Sequence, residues 1–130
     1  MTTPEIPESH KDLLGAPVGV LGTIGASGRP QLSATWFLAE GGTVKISLNT
    51  VRQKVKNLRA NPKASFLITD PANPYKYVEL RGDAEITPDD DYAFADKVGA
   101  KYGADLRKMD KPGEVRVVVT VKPVRVVTWG

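Results

Sequence analysis

Residues 43–56 read TVKISLNTVRQKVK, and this stretch contains the two patterns that decide the fold. Val44, Ile46 and Leu48 alternate with polar residues, which predicts a half-buried β-strand over Thr43–Asn49. The residues that follow lose this alternation and begin a helical pattern without an intervening loop. We therefore expect a strand that ends directly at the start of a helix.

The start of this helix carries a capping signal. Thr50-Val-Arg-Gln53 matches a capping box, with Thr50 as the N-cap and Gln53 at the third helical position. The helix is predicted to stop at Asn61-Pro62, because the residue before a proline is pushed out of the α region.

The rest of the chain is predicted to be mainly β, with six or seven antiparallel strands and two or three helices in one domain over residues 1–130. So many strands on so short a chain usually close into a barrel, which removes their edges. Gly82 is predicted to be a bulge or a barrel bend, and Pro123 a break or a bulge in the last strand. A second helix is predicted to open at Thr87-Pro88 with the proline in its first position. The other predicted segments are a loose lead-in at 1–8, a short helix near Glu8–Leu14, and strands at Val18–Ile24, Gln31–Ala39, Ala64–Thr69, Tyr75–Ile86 and Glu114–Trp129.

Composition excludes several classes of function. The chain has 130 residues with 41% hydrophobic and 25% charged side chains, which is typical of a globular domain rather than a disordered chain. It has no cysteine, so disulfides, thiolate nucleophiles and cysteine metal sites are excluded, and a reducing cytoplasm is expected. The single histidine, His10, excludes a histidine-rich metal site. No apolar run approaches the roughly 20 residues that a membrane-spanning helix needs, and no membrane association is expected.

The positive charge is concentrated in one part of the chain. Residues 41–69 contain six Lys and Arg and no Asp or Glu, so the net +3 of the whole chain leaves a net −3 for everything else. This distribution favours a compact anionic ligand over a nucleic acid, which is recognised by a basic face. Single-stranded nucleic acid would also need stacking aromatics among the cations, and none lies between Phe37 and Phe66.

The predicted helix start is the strongest candidate site. Its free N–H groups, its dipole and the cations Arg52 and Lys54 would converge on one point, which is how proteins hold a phosphate. Ser47, Asn49 and Thr50 would add neutral donors. The same pattern is also typical of an ordinary amphipathic helix with a solvated cationic face.

Other candidates have simple structural explanations. Asp89-Asp-Asp91 follows the charge preference of a helix start, and no metal site is predicted there. Tyr75 and Tyr77 lie two apart on a strand, so they could form a stacking wall for a planar ring or an ordinary cross-strand pair. Trp36 and Trp129 are predicted to be core or interface anchors rather than catalytic groups.

Taken together, four short motifs resemble the pyridoxamine 5′-phosphate oxidase-like split β-barrel proteins, and among them the actinobacterial deazaflavin-dependent oxidoreductases that use coenzyme F420. The resemblance covers about Leu13 to Trp129. The motifs are Gly28-Arg-Pro-Gln-Leu-Ser33, Ser47-x-Asn-Thr-x-Arg-x-Lys54, Asn57-Leu-Arg-x-Asn-Pro62 and Tyr77-Val-Glu-Leu-Arg-Gly82.

The resemblance implies a split β-barrel that forms a homodimer with two cofactor sites, each lined by both subunits. Ala34 replaces a polar residue that some relatives place there, so one ring contact is in doubt. The resemblance implies that the cofactor phosphate is bound by Arg52 and Lys54, and that the ring is approached by Pro30 and Gln31. The stretch of cofactor between the ring and the ribityl chain would be contacted by Ser47, Leu48, Asn49 and Thr50. Each site would also receive Tyr75 and Tyr77 from the partner subunit.

The function that this implies is a reductase that passes hydride from reduced deazaflavin to an electron-poor organic acceptor. No side chain is predicted to be catalytic, because the cofactor would supply the chemistry. Two alternatives stay open: an FMN-binding flavoprotein with the same fold, and a non-catalytic deazaflavin carrier. Related proteins also bind haem or biliverdin, so the fold is better specified than the cofactor.

Overall fold

Seven antiparallel strands form one sheet in the computed structural model, which describes residues 4–130. Within these residues, two α-helices and two 3₁₀ segments interrupt the strands. The strands are β1 (Gly19–Ile24), β2 (Pro30–Thr35), β3 (Leu38–Glu40), β4 (Thr43–Asn49), β5 (Lys63–Asp70), β6 (Asn73–Pro88) and β7 (Arg116–Trp129). Their order in the sheet is β2-β1-β5-β6-β7-β4-β3. The helices are α1 (Gln53–Ala60) and α2 (Ala93–Tyr102), and the 3₁₀ segments are Glu8–Gly15 and Leu106–Met109.

The connection between β2 and β3 shows that the sheet is curled. These strands lie at opposite ends of the strand order, yet only Trp36 and Phe37 separate them in sequence. Two intervening residues span at most about 11 Å, because consecutive Cα atoms are 3.8 Å apart. A flat seven-stranded sheet would hold its edges about 29 Å apart. The two edges must therefore approach each other, which gives the split β-barrel predicted from the sequence.

This crossing also corrects one prediction. A single strand was expected over Gln31–Ala39, but the chain leaves β2 after Thr35 and resumes as β3 at Leu38. Phe37 is fully buried between the two strands, where its ring packs edge-on against Phe66 at 5.2 Å between centroids. The alternation of apolar residues continues through the crossing, so the sequence pattern alone does not reveal it.

β6 and β7 form the long central ladder of the sheet. Their register shifts between Arg81, which pairs with Arg125, and Gly82, which pairs with Pro123, so the two strands bulge here as predicted at Gly82. β7 continues through Pro123 without a break, so of the two outcomes predicted at Pro123 the structure shows the bulge. A side chain at position 82 would overlap the backbone carbonyl of Lys122, so the close approach of the two strands requires glycine there.

Two apolar clusters stabilise the fold. The larger one fills the barrel and includes Leu21, Ile46, Phe66 and Val119, each at most 1% exposed. The smaller one lies outside the barrel, where Val98 and other α2 residues pack with Val118 of β7. Because the first half of β7 is covered on both faces, its valines at 117, 118, 119 and 121 are buried without alternation.

The second helix begins later than predicted. Pro88 is the last residue of β6, and α2 starts at Ala93. The buried Asp89 carboxylate accepts hydrogen bonds from the N–H groups of Phe94 (3.0 Å) and Ala95 (2.9 Å). The acidic run therefore does support the helix start. It does so from a loop that lies between Pro88 and the first residue of α2.

The N-terminal predictions are met within the described residues. Residues 4–7 have no regular structure, and the predicted short helix is the 3₁₀ segment Glu8–Gly15. The first three residues of the predicted lead-in lie outside the described part of the chain. Among residues 4–130, no helix is long and apolar enough to cross a bilayer.

Candidate functional site

A cavity of about 490 Å³ lies where β4 ends and α1 begins. The strand residues Ile46–Asn49 form one wall, and the start of α1 forms the next. Ala34, Thr35 and Trp36 at the end of β2 close one side, and the loop from Met109 to Glu114 closes the other. The volume is within the range of small-molecule and cofactor pockets.

The turn between β4 and α1 is organised by Asn49 rather than by Thr50. The Asn49 side-chain Oδ1 accepts the N–H of Val51 at 3.0 Å, and its backbone carbonyl accepts the N–H of Arg52 at 3.1 Å. The helix then begins at Gln53 with Arg52 as N-cap, and no side chain of residues 4–130 caps it. The predicted capping box is therefore wrong. The Asn49 side chain accepts a hydrogen bond from the backbone N–H two residues later in the chain, which forms a turn and delays the start of the helix.

The two predicted phosphate-binding cations lie at this helix start and line the cavity. Arg52 is exposed, and Lys54 is half-buried with its Nζ donating to Ser33 Oγ at 3.1 Å. Neither forms an ion pair with a carboxylate of residues 4–130. Burial and the nearby Arg52 both lower the pKa of Lys54, because each disfavours its charged form. An anion bound here would relieve that unfavourable interaction.

A buried ion pair fixes the opposite wall of the cavity. Arg116, at the start of β7, donates to both carboxylate oxygens of Asp110, from Nη2 at 2.7 Å and from Nε at 3.0 Å. The two side chains are 6% and 3% exposed. Arg116 Nη1 also donates to Ser47 Oγ at 3.1 Å, so the pair holds a predicted cofactor residue in place.

Asn49 connects this ion pair to the turn. Its Nδ2 donates to Asp110 Oδ1 at 2.9 Å and to Glu114 Oε1 at 3.0 Å. Burial raises the pKa of Asp110, but the hydrogen bonds from Arg116 and Asn49 outweigh it and hold that pKa below its usual value. Asn49 is 6% exposed and its hydrogen-bonding groups are engaged within the protein, so its main effect is to position the turn.

The structure places Gln31 and Pro30 outside the cavity lining. Gln31 belongs to a polar cluster beneath α1, where its Oε1 accepts from Asn57 Nδ2 at 2.9 Å. Asn57 in turn donates to Thr23 and accepts from Gln53. This cluster fastens α1 to the β1–β2 hairpin, which fixes the direction in which the helix start faces.

The structure also places Tyr75 and Tyr77 away from the cavity of their own chain. They lie near the start of β6, where Tyr77 pairs with Trp129 of β7. Tyr75 is 77% exposed, so its ring is available to another molecule. Their assignment to the site of a partner subunit stays a prediction.

The cavity therefore brings together five of the predicted residues: Ser47, Leu48, Asn49, Arg52 and Lys54. Thr50 lies in the adjoining turn without lining the cavity. Sequence reasoning missed Asp110, Glu114 and Arg116. An arginine at the head of a run of buried valines was the available signal, because such a charge requires a partner.

Sequence reasoning also underestimated Trp36. Trp36 is 36% exposed and lines the cavity, and Trp129 is 64% exposed, so neither is a core residue. The alternative that they are interface anchors stays a prediction. The part of the chain that the structure describes contains no group of three or more His, Asp or Glu side chains that could hold a metal ion.

Comparisons with known proteins agree on one family. The sequence profile described as pyridoxamine 5′-phosphate oxidase matches residues 6–130. A solved structure named an F420 reductase is 36% identical, superimposes with a TM-score of 0.82, and the match covers 94% of this chain and 98% of that one. A conserved hypothetical protein from Mycobacterium tuberculosis is 26% identical with a TM-score of 0.77, covering 99% and 88% of the two chains.

More distant matches show the fold alone. General Stress Protein 26 from Bacillus anthracis is 18% identical, with a TM-score of 0.71 and coverage of 94% of this chain and 92% of that one.

Proposed function

The chain belongs to the pyridoxamine 5′-phosphate oxidase family, whose fold binds flavin-type cofactors, and we propose that it is a reductase that uses coenzyme F420. In this proposal hydride passes from the reduced deazaflavin to an electron-poor organic acceptor. One observation carries the proposal: two cations without carboxylate partners among the described residues flank a helix start that opens into a cavity of about 490 Å³. The 36% identity to a protein named an F420 reductase favours the deazaflavin over other ligands of the family.

The residues of the cavity fit a phosphorylated cofactor. The first N–H groups of α1 have no intrahelical partner, and the helix dipole adds partial positive charge at the same point. Arg52 is exposed and Lys54 is partly desolvated, so both charges are available to a phosphate. Charge-assisted hydrogen bonds to phosphate are among the strongest that a protein makes.

The remaining wall positions the cofactor without reacting with it. Ser47 Oγ accepts from Arg116, which leaves its own hydrogen free to donate toward the cavity. Ile46 and Leu48 add apolar surface beside it. The hydrogen-bonded Asp110 and the Asn49 bond to Glu114 hold the loop against the strand, so this wall stays rigid when the cofactor binds.

When bound, the reduced deazaflavin would supply the hydride, and the anion that the acceptor then forms would take one proton from water. The chain's contribution is binding, orientation and exclusion of solvent, which matches the general division of labour between cofactors and proteins. No side chain of the cavity is proposed as an obligatory acid or base.

We further propose that the working form is a cytoplasmic homodimer. Leu32, Val124, Tyr75 and Trp129 are all more than 60% exposed, and a second copy of the chain would cover such apolar surface. In the dimer, Tyr75 and Tyr77 would reach the cavity of the neighbouring subunit.

Side-by-side titration with the deazaflavin and with FMN tests the proposal. We expect saturable binding of the deazaflavin, weaker binding of FMN, and oxidation of the reduced deazaflavin when an electron-poor acceptor is added. Tight FMN that copurifies with the protein would favour the flavoprotein alternative. Deazaflavin binding without turnover across a panel of acceptors would favour the carrier.

Paired variants show whether the cavity is the binding site. Arg52→Ala and Lys54→Ala should each weaken deazaflavin binding by about 10- to 150-fold, because a charge-assisted contact contributes roughly 1.5–3 kcal/mol. Lys63→Ala is the matched control: it removes the same charge from the start of β5, which follows the far end of α1 and lies outside the cavity. Equal affinities in wild type, Arg52→Ala and Lys54→Ala would place the site elsewhere.

A further inference from the structure

Tyr92 has a backbone conformation that a tyrosine rarely adopts. It immediately precedes α2 with φ 61° and ψ 17°, and among residues 4–130 it is the one non-glycine residue with a positive φ. Its N–H donates to the Asp89 carbonyl at 3.0 Å, and its own carbonyl accepts the N–H of Asp96 at 2.8 Å. A left-handed backbone is unfavourable for a residue with a side chain, and residues held in it concentrate at functional sites. This conformation therefore directs attention to what the Tyr92 side chain contacts.

The Tyr92 hydroxyl completes the hydrogen bonding of a buried carboxylate. It donates to Asp110 Oδ2 at 3.1 Å, and the same oxygen accepts from Arg116 Nε at 3.0 Å. Asp110 Oδ1 accepts from Arg116 Nη2 at 2.7 Å and from Asn49 Nδ2 at 2.9 Å. Tyr92 is thus the donor that belongs to neither β4 nor β7. The hydrogen bond to Asp110 raises the pKa of the Tyr92 hydroxyl, so the hydroxyl keeps its proton and remains a donor.

The Tyr92 ring holds the same loop at a second point. The guanidinium of Arg107, in the second 3₁₀ segment, lies over this ring with its Cζ 5.2 Å from the centroid. One side chain at the start of α2 therefore contacts residues 107 and 110 of the segment that leads into β7. The cavity wall formed by Met109 to Glu114 contains the second of these contact points.

We propose that Tyr92 is a positioning residue of the cofactor cavity, which holds Asp110 and thereby orients two predicted cofactor-binding residues of β4. Asp110 passes the constraint on through Arg116, whose Nη1 donates to Ser47 Oγ at 3.1 Å. It also acts through Asn49, whose Oδ1 shapes the turn before α1. Tyr92 does not line the cavity, so it affects the cofactor through these residues. The identity of that cofactor rests on the proposed function.

The first test uses Tyr92→Phe without cofactor, because this variant loses the hydroxyl and keeps the ring beneath Arg107. Carbon-13 NMR of the Asp110 carboxyl should show a raised pKa, since one donor to the ionised form is gone. The backbone N–H of Val51, which donates to Asn49 Oδ1, reports on the turn. Its exchange with solvent should accelerate by about 2- to 12-fold, the effect of one lost hydrogen bond.

The second test measures the cofactor. Tyr92→Phe should weaken deazaflavin binding by about 2- to 12-fold. Turnover at saturating deazaflavin should stay within about twofold of wild type, because Tyr92 contacts no reacting group. Thr43→Val is the matched control: it removes a hydroxyl that donates to the Glu40 carbonyl at 2.6 Å, at the opposite end of β4 and outside the cavity. It should leave the Asp110 pKa, the Val51 exchange rate and the deazaflavin affinity unchanged.

Three results would overturn the proposal. In the first, Asp110 titrates and Val51 exchanges in Tyr92→Phe as in wild type. In the second, both signals change but deazaflavin affinity does not, so the held wall has no effect on binding. In the third, Tyr92→Phe and Thr43→Val lose affinity equally, so the loss follows from general destabilisation. Wild-type protein that binds no deazaflavin would contradict the proposed function instead, and the two cofactor-free readouts would still decide whether Tyr92 positions the wall.

Discussion

The cationic and aromatic ends of the cavity are built in different ways. The cationic end comes from six consecutive residues, Asn49 to Lys54, where a strand turns into a helix. The aromatic end joins Trp36 from the β2–β3 crossing, Tyr102 from α2 and Met109 from the second 3₁₀ segment. The first arrangement is local in sequence, whereas the second exists only after the sheet has curled.

The two ends also differ in what keeps them rigid. The cationic end is opposed by a buried, bidentate ion pair that reaches Ser47 and Asn49. The aromatic end depends on ring stacking and on hydrogen bonds to the backbone of Phe37. Substitutions that break the ion pair opposite the cationic end should therefore lower the stability of the fold strongly. Substitutions in the aromatic end should mainly lower ligand affinity.

The largest effect is expected from Arg116→Met. It leaves the Asp110 carboxylate buried without its cation, and breaking a buried pair in this way costs about 3–5 kcal/mol of unfolding free energy. Urea denaturation at neutral pH measures the loss.

Arg107→Met is the control for this experiment. Arg107 makes an equally short, bidentate pair with Asp96, but both side chains are more than half exposed. Solvent screens an exposed pair, so Arg107→Met should lower the unfolding free energy far less than Arg116→Met. Similar losses in the two variants would contradict the view that burial of Asp110 and Arg116 makes this wall rigid.

The shape of the sheet was largely predictable, whereas the cavity wall opposite α1 was not. Strands such as β4 and the bulge at Gly82 follow from alternation and from glycine, which are local signals. The crossing at Trp36 was missed because the apolar alternation runs straight through it. The pairing of Asp110 with Arg116, and of both with Asn49, depends on distant segments that only the folded sheet brings together.

A mixed dimer tests whether the partner adds a third side to the cavity. One subunit carries Arg52→Ala and Lys54→Ala, and the other carries Tyr75→Ala and Tyr77→Ala. Either homodimer should be impaired, whereas the heterodimer keeps one intact site and should recover up to half of wild-type activity.

Light scattering establishes that dimers form before activity is compared. A 14 kDa monomer at micromolar concentration would contradict the homodimer. Heterodimers that form but recover no activity would show that the tyrosines do not serve the neighbouring site.

The pH dependence of the unfolding free energy tests the contribution of the buried pair of Asp110 and Arg116. The pKa of folded Asp110 is lowered from 3.8, so its ionised form stabilises the fold above the unfolded pKa. That contribution is lost as the pH falls below about 4 and through the folded pKa. The difference in unfolding free energy between wild type and Asp110→Asn should therefore be full near pH 6 and shrink below about pH 4. A difference that stays constant with pH would mean that Asp110 has no lowered pKa.

The smallest effect is expected from His10→Ala, which touches neither end of the cavity. His10 is 5% exposed, its Nε2 donates to the Trp129 carbonyl at 3.0 Å, and its Nδ1 accepts from Ser9 Oγ at 2.8 Å. These bonds fasten the end of β7 to the first 3₁₀ segment, so the substitution should lower stability while leaving the chemistry intact. We expect turnover within about threefold of wild type, because general acid–base catalysis would have contributed roughly 10²–10⁴-fold. Steady-state rates measured well below the unfolding temperature of the variant separate the two effects. A hundredfold loss of turnover in folded His10→Ala would show that the single histidine takes part in catalysis, and that the two ends of the cavity do not account for the site.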